Sequence, residues 1–546
     1  MKKRICLLAV LIVAVLGVAG CSRSGAPTAE GEKPEPETAR YLVAVEDEPD
    51  TVDFQCTSIH YTVAQNVFDR LVEMESGADG GERIVPSLAE RWEISEDRRA
   101  YTFHLRQGVK FSNGKALTAQ DAQYTFTRLL AHPDACNQDI ADCVLGAAAL
   151  MKGETDRLAG FEILDDLTFT VTLEQPFEAF LACLSMPGAS ILDSETTEEA
   201  GARFGREPAW TVGTGPFILD QWEPGHGMLL RANPDCWSGA PHCEGLDLRF
   251  MTDAEEIRLL FEHGGLDILN LEDVGKASEY FLHGDVYADR LTSVPRICIT
   301  YIALNESVAP LMDARVRRAL QMALDRTLLL DAAYSGHGAL ENGIMPHGLY
   351  GYDPDLPEIP FDPEAARALL AEAGYPDGFP ITFSASAASS LSEMALIRAA
   401  AAMWEAIGVR TTISLLPTAE FMRLRKSGSL TCYSATWSAD FDDPDNFFYT
   451  FFGTAENTRF RSLCYPREDV MRRVREARAI ADPDARVAEY RDLERVIAQE
   501  DAAWIPLFSR HYFYVSSDRL RGLTASWSGS VKNEYRKMSV IEGMQP

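Results

Sequence analysis

AERWEISEDRRAYTFHLRQGVKFSNGKALTAQDAQYTFTRLL, residues Ala89–Leu130, changes its period part-way through. Tyr101, Phe103 and Leu105 alternate with Thr102, His104 and Arg106, the period of a strand with one buried face. Asn113-Gly114 supplies a turn, and Thr118 with Asp121 three residues on matches a capping box. Beyond the cap, Ala122, Thr125, Phe126 and Leu129 fall on one face at helical spacing. Strand, turn and helix in one short stretch is the grain of a mixed α/β protein.

The same grain continues downstream. In FDPEAARALLAEAGYPDGF (Phe361–Phe379), Asp362 is placed to cap, Pro363 opens the helix and Gly374 closes it, with Ala366, Leu369, Leu370 and Ala373 as the apolar stripe. DARVRRALQMALDR (Asp313–Arg326) predicts another amphipathic helix, with Val316, Ala319, Leu320, Ala323 and Leu324 inward and the arginines outward. Strand-like runs such as RICITYIALN and VRTTISLLP alternate with these helices, and no repeat of solenoid length occurs. A chain of 546 residues exceeds what one core sustains, so two or three lobes are expected.

The N-terminus reads MKKRICLLAVLIVAVLGVAGC. Its basic head, short apolar run and small residues predict a secretory signal over 1–20 rather than a membrane span. Val18-Ala19-Gly20-Cys21 is similar to a bacterial lipobox, which makes Cys21 the lipid-bearing residue; an ordinary signal peptide with a chance cysteine is the alternative. Residues 21–39 are polar and rich in Pro and Glu, the composition of a flexible tether. Loss of residues 1–20 leaves 48 basic against 82 acidic residues, a formal charge of −34. That balance disfavours nucleic acid and anionic membrane surfaces as partners.

Nine cysteines remain beyond Cys21, and Cys136–Cys143 and Cys236–Cys243 share one spacing. In an exported protein each pair is a candidate short-loop disulfide worth about 2–3 kcal/mol. Cys236, His242 and Cys243 are open to a zinc reading, although no second ligand pair follows nearby.

WSADFDDPDNFF, residues Trp437–Phe448, concentrates four carboxylates and four aromatic rings. Calcium through an EF-hand fails, because counting from Asp440 puts Asp445 where glycine belongs and Phe451 where glutamate belongs. Acid–base catalysis needs two carboxylates facing one bond, and Asp442, Asp443 and Asp445 serve equally well as turn or cap residues. The chain also lacks G-x-S-x-G and H-E-x-x-H, and its ten histidines are scattered, which argues against an exported peptidase.

With Val212–Trp237 (VGTGPFILDQWEPGHGMLLRANPDCW) and Trp504–His511 (WIPLFSRH) added in order, these stretches resemble the extracytoplasmic solute-binding proteins of peptide ABC transporters, bacterial family 5. The resemblance implies a two-lobed α/β fold of the periplasmic-binding-protein type with an extra subdomain. Lobe I would occupy 40–290 plus 506–546, the subdomain about 60–200 within it, and lobe II 291–505. It implies a monomer without cofactor or metal, tethered by lipid on the extracytoplasmic face of the membrane, in the periplasm or at the cell surface. Such a receptor closes over an oligopeptide and delivers it to the permease subunits, with hinge motion near Arg296–Tyr301 and Ile505–Leu507. In the family, W-x-x-D followed by D-P supplies the carboxylate for the ligand's ammonium end, which maps onto Asp440, with Trp437 and Phe441 beside it. Dipeptide-binding members also hold the ligand carboxylate with an arginine. The corresponding stretch here, SASAASSLSEM (Ser384–Met394), has none, and Arg398 is expected to face solvent. Longer peptides, or another solute such as a nickel chelate, haem or small sugar, are therefore open.

Overall fold

The computed structural model describes residues 41–57, 60–76, 82–523 and 535–541. The signal 1–20, Cys21 and the tether 21–39 lie outside the described residues.

A twelve-stranded sheet runs through the molecule in two halves. In the first half Tyr41–Glu46 pairs in parallel with Gly245–Phe250 and with Ile268–Asn270, and Gly245–Phe250 continues antiparallel to Gly227–Ala232 and Phe217–Glu223. In the second half Pro380–Ser386 pairs in parallel with Arg410–Leu416 and Cys432–Ser438, and the latter runs antiparallel to Cys298–Leu304. The long strand Trp504–Ser516 belongs to both. Its start pairs with Cys298–Leu304, its end with Leu291–Pro295 and Ile268–Asn270. Both faces of each half are covered, as side-chain alternation requires: Ile299, Tyr301 and Ala303 enter one core while Ile302 and Leu304 of the same strand enter another. The protein is thus a two-lobed α/β molecule whose lobes share a strand.

The opening stretch folds as its period predicts. Tyr101, Phe103 and Leu105 are at most 3% exposed and lie in a four-stranded antiparallel sheet, Ala89–Ile94, Ala100–Leu105, Thr168–Thr172 and Phe161–Asp165, with a core of its own. Helix Ala119–Ala131 covers that core. Asp121 closes the capping box on the Thr118 amide at 2.9 Å, and its other oxygen holds the Ser194 amide and hydroxyl.

Asp362 caps Pro363–Glu372 through the amides of Glu364 and Ala365, and Gly374 ends the turn at φ +94°. The helix expected over Asp313–Arg326 is shorter: Ala314–Met322 stops, and Asp325 caps a second helix, Arg326–Tyr334. Nor do all its arginines face water. Arg317 is buried, pairs with Glu306 at 3.0 Å and donates to the carbonyls of Leu311, Asp501 and Ala502. Those acceptors lie at helix and loop ends with no backbone donor to spare, so a buried guanidinium satisfies them. Arg398 is exposed, as expected.

The expected cysteine pairing is absent. Cys136, Cys143, Cys236 and Cys243 are all free thiols. Cys136 is exposed with its Sγ toward the Asp134 carbonyl, whereas Cys143 packs against the subdomain core on the far side of the turn Gln138–Ile140. Cys236 faces the Thr214 carbonyl and Ser238 hydroxyl, while Cys243 lies in the core beside the first half of the large sheet. Equal spacing in sequence sends each pair into different surroundings.

Candidate ligand-binding site

Strand Cys432–Ser438 carries Trp437 to its end, and helix Asp445–Phe452 begins seven residues after Ser438. Asn446, in the first turn of that helix, ties the intervening loop together. Its Oδ1 accepts from the Trp437 indole N–H at 3.0 Å and from the Asp440 amide at 3.2 Å, and its Nδ2 donates to Asp440 Oδ2 at 3.2 Å.

The four carboxylates then divide. Asp443 receives a two-pronged contact from Arg486, both bonds 2.7 Å and both side chains buried, and also accepts from the Asp445 amide. Asp445 pairs with Arg478 at 3.0 Å and accepts from Tyr490. Asp442 accepts the Tyr350 amide at 2.6 Å. These three build the loop, as turn and cap residues do. Asp440 has only Asn446 as side-chain partner, and among the described residues no cation bonds it.

Beside this loop lies a cavity of about 430 Å³. One wall is Asp139, Asp142, Phe177 and Cys183 from the subdomain side; the other includes Phe441, Asn446, Tyr449, Arg461 and Arg478. Phe441 is buried in the subdomain core although its chain neighbours belong to the second half-sheet, and Arg478 lies over both Phe177 and Tyr449. The cavity is therefore lined from both parts of the molecule.

The electrostatics are those of an acidic site. Burial pushes the Asp440 carboxyl up to about 6; the Asn446 bond opposes this, Asp139 adds to it and Arg461 opposes it. Asp142 is raised to about 6 by burial, against the pull of Arg478, and burial raises Asp139 too. Both subdomain carboxylates are reached by cavity solvent, so it is the surrounding walls rather than direct packing that penalise their charge. Burial raises the Tyr61 phenol, with Asp440's charge as a further cause.

Of the residues expected from sequence, Phe441 lines the cavity while Asp440 and Trp437 are tied to it through Asn446; the lining residues Asn446, Arg461, Asp139 and Asp142 were not expected. Asn446 was within the same motif, at hydrogen-bonding reach across a turn. The subdomain residues lie some 300 positions away, and no spacing rule connects them.

Comparison with known proteins identifies the family. The profile of bacterial extracellular solute-binding proteins, family 5 Middle, matches residues 83–459. The chain belongs to that family. Among curated family 5 relatives it is 30% identical over 475 residues to the Heme-binding protein A of Haemophilus influenzae, covering 85% of each chain, and 29% identical over 468 residues to the Dipeptide-binding protein of Escherichia coli, covering 80% of this chain and 83% of that one. Solved structures agree on the fold. HbpA2 from Haemophilus parasuis matches at TM-score 0.75 with 26% identity, covering 92% of this chain and 99% of the other. DppA from Helicobacter pylori in complex with the peptide STSA matches at 0.73 with 22% identity over 92% and 98%. Membership in family 5 makes the chain a solute-binding protein, and the curated relatives named above are binding proteins.

Proposed function

We propose that this protein captures peptides between its lobes and presents them to an ABC permease for import, with Asp440 receiving the ligand's ammonium end. One observation carries this reading: of four carboxylates in one loop, three have partners built into the fold, and Asp440 has only Asn446, which together with Phe441 and Asp445 lines the cavity. A desolvated carboxylate held only by an amide is unfavourable alone and favourable once a cation joins it. Ligand backbone is met by strand-like pairing and variable side chains by water-filled space. The lobes, divided at about 40–290 plus 506–546 and 291–505, would move about the crossings at Arg296–Tyr301 and Ile505–Leu507. Cys21 would carry the lipid that keeps the receptor at the membrane; no helix among the described residues is long and apolar enough to cross one.

Titration calorimetry with a mixture of di-, tri- and tetrapeptides tests the assignment. Asp440→Ala should cost about 3–5 kcal/mol, roughly two to three and a half orders of magnitude in affinity. Unchanged affinity would refute it. A second reading, haem as ligand, is favoured by the 30% identity to a haem-binding protein. Native mass spectrometry of protein from its host separates the two by ligand mass.

A further inference from the structure

The fold brings Cys136 not to Cys143 but to Cys56. The Cys136 amide donates to the Gln55 carbonyl at 2.9 Å, and the next residue, Asn137, donates to the carbonyls of Phe54 and Thr57 at 2.8 Å each. A trans peptide keeps the following Cα about 3 Å from its carbonyl oxygen, so this bond leaves the Cα atoms of Cys56 and Cys136 about 4–7 Å apart, the range a disulfide spans. Both sulfurs also border one loop. Cys56 Sγ lies 3.4 Å from His132 Nδ1, and Cys136 Sγ lies 3.6 Å from the Asp134 carbonyl.

The two thiols differ in what surrounds them. Cys136 is exposed and Cys56 half-buried. Burial pushes the Cys56 thiol up to about 12, with the charge and hydrogen bond of Asp53 adding to this and Arg128 opposing it. Cys56 is therefore a poor nucleophile until a base takes its proton, and Cys136 is the thiol that meets solvent. The base is in place. The Asp134 amide donates to His132 Nδ1 at 3.2 Å, and since an amide N–H only donates, that nitrogen is the ring's acceptor and receives the Cys56 S–H as well.

We propose that Cys56 and Cys136 are a redox pair, shown here reduced, that an organic disulfide or a disulfide-bearing oxidoreductase outside the cytoplasm closes into a disulfide. Family 5 proteins are extracellular, where such bonds form and persist. The Cys136 thiolate attacks one sulfur of the oxidant, forming a mixed disulfide and releasing the other sulfur as a thiolate. Cys56 then attacks the Cys136 sulfur, its proton passing to His132 Nδ1, and the rest of the oxidant leaves as a second thiolate. The protein gives up two electrons and two protons, and the oxidant ends as two thiols. The new bond closes a loop of about 80 residues, which restricts chiefly the unfolded chain. In the folded protein it ties Phe54–Thr57 to the turn Gln138–Ile140, which carries Asp139 to the cavity wall. Asn137 already pins both segments and donates to the Tyr61 hydroxyl at 2.9 Å, so closure calls for side-chain rotation rather than backbone travel.

The test uses the full chain, reduced and then exposed to hydroxyethyl disulfide, an oxidant that contains no peptide. Remaining thiols are alkylated under denaturing conditions, the protein is digested without reductant, and the fragments are mapped by mass. A linked species should join the Cys56 and Cys136 fragments, lighter than their sum by the two thiol hydrogens. Oxidised wild type should unfold at higher urea than reduced wild type. Cys136→Ser and Cys56→Ser should each abolish both the link and the urea shift, and Cys143→Ser should keep both. His132→Gln should slow closure and let the mixed disulfide at Cys136 accumulate; an unchanged rate would remove His132 from the step. Recovery of Cys56 and Cys136 both alkylated, or of Cys136 linked to Cys143, overturns the proposal. A Cys56–Cys136 link with no shift in the urea midpoint overturns its constraint on the chain.

Discussion

Asp440 and Asp443 are three residues apart in one loop and differ in almost everything that matters. Asp443 is buried against Arg486, with two bonds of 2.7 Å and a third from the Asp445 amide, and contributes to holding the loop on helix Pro483–Glu494. Asp440 is partly accessible, held by one amide side chain, with its carboxyl pushed up to about 6 by burial. The first is a carboxylate whose counter-charge comes with the fold. The second is a carboxylate whose counter-charge has to arrive. Identical chemistry three positions apart thus yields a structural brace and, on the proposed function, a binding group, and the distinction lies in the partner, not in the residue.

The largest effect separating the two should be on stability. Asp443→Ala leaves the Arg486 guanidinium, 4% exposed, without its anion, and removal of one partner from a buried pair costs about 3–5 kcal/mol. Urea denaturation of unliganded protein should show this loss for Asp443→Ala and none for Asp440→Ala. Replacing both partners, Asp443→Asn with Arg486→Met, should recover much of it, since the desolvation of both charges is then relieved. Equal losses in the two single variants would erase the contrast.

How much of this was legible beforehand follows the range of the interactions. The capping box of Thr118 and Asp121, the cap at Asp362 and the inward face of Ala100–Leu105 are local, set by neighbours within a few positions, and the structure has them where the period puts them. The inward turn of Arg317 was not legible, because its acceptors near Asp501 are brought up by the fold. The candidate site shows the same split. W-x-x-D pointed to Asp440 and Trp437, which reach the cavity wall through Asn446, whereas Asp139 and Asp142 line it from a stretch some 300 positions away that only the tertiary fold brings near. Cysteine spacing misled for the converse reason: seven positions are near in sequence, but the turn Gln138–Ile140 separates Cys136 from Cys143.

A smaller effect runs in the opposite direction. A carboxyl whose folded pKa is about 6, above the unfolded value of about 3.9, favours folding when protonated; that contribution is present below the unfolded pKa and lost as pH rises through the folded one. At pH 7.5 the ionised Asp440 therefore weakens the unliganded protein. Asp440→Asn, which keeps the shape and the contact with Asn446, should raise unfolding free energy by about 1–2 kcal/mol at that pH, a value reduced for partial exposure, and by nothing measurable at pH 4. The comparable change at Asp443 should destabilise at both. A binding group maintained at the expense of stability, beside a brace that supplies it, is the expected pattern for a site that awaits a ligand.

The smallest predicted effect is on affinity against pH, and it tests whether Asp440 rather than its neighbours meets the ammonium. With a free carboxyl near 6 and binding restricted to its ionised form, peptide affinity should be level above pH 7 and about tenfold weaker at pH 5, roughly 1.4 kcal/mol. Asp142 has the same midpoint, raised by burial against Arg478, and Asp139 is raised as well, so the midpoint alone does not name the group. Calorimetry on Asp142→Asn and Asp139→Asn does. If Asp440 is the contact, Asp142→Asn keeps the tenfold loss, and Asp139→Asn, which removes a charge that raises Asp440, keeps a loss moved to lower pH. If either abolishes it, the cation sits on the subdomain wall, and the division between brace and binding group passes across the cavity instead of along the loop.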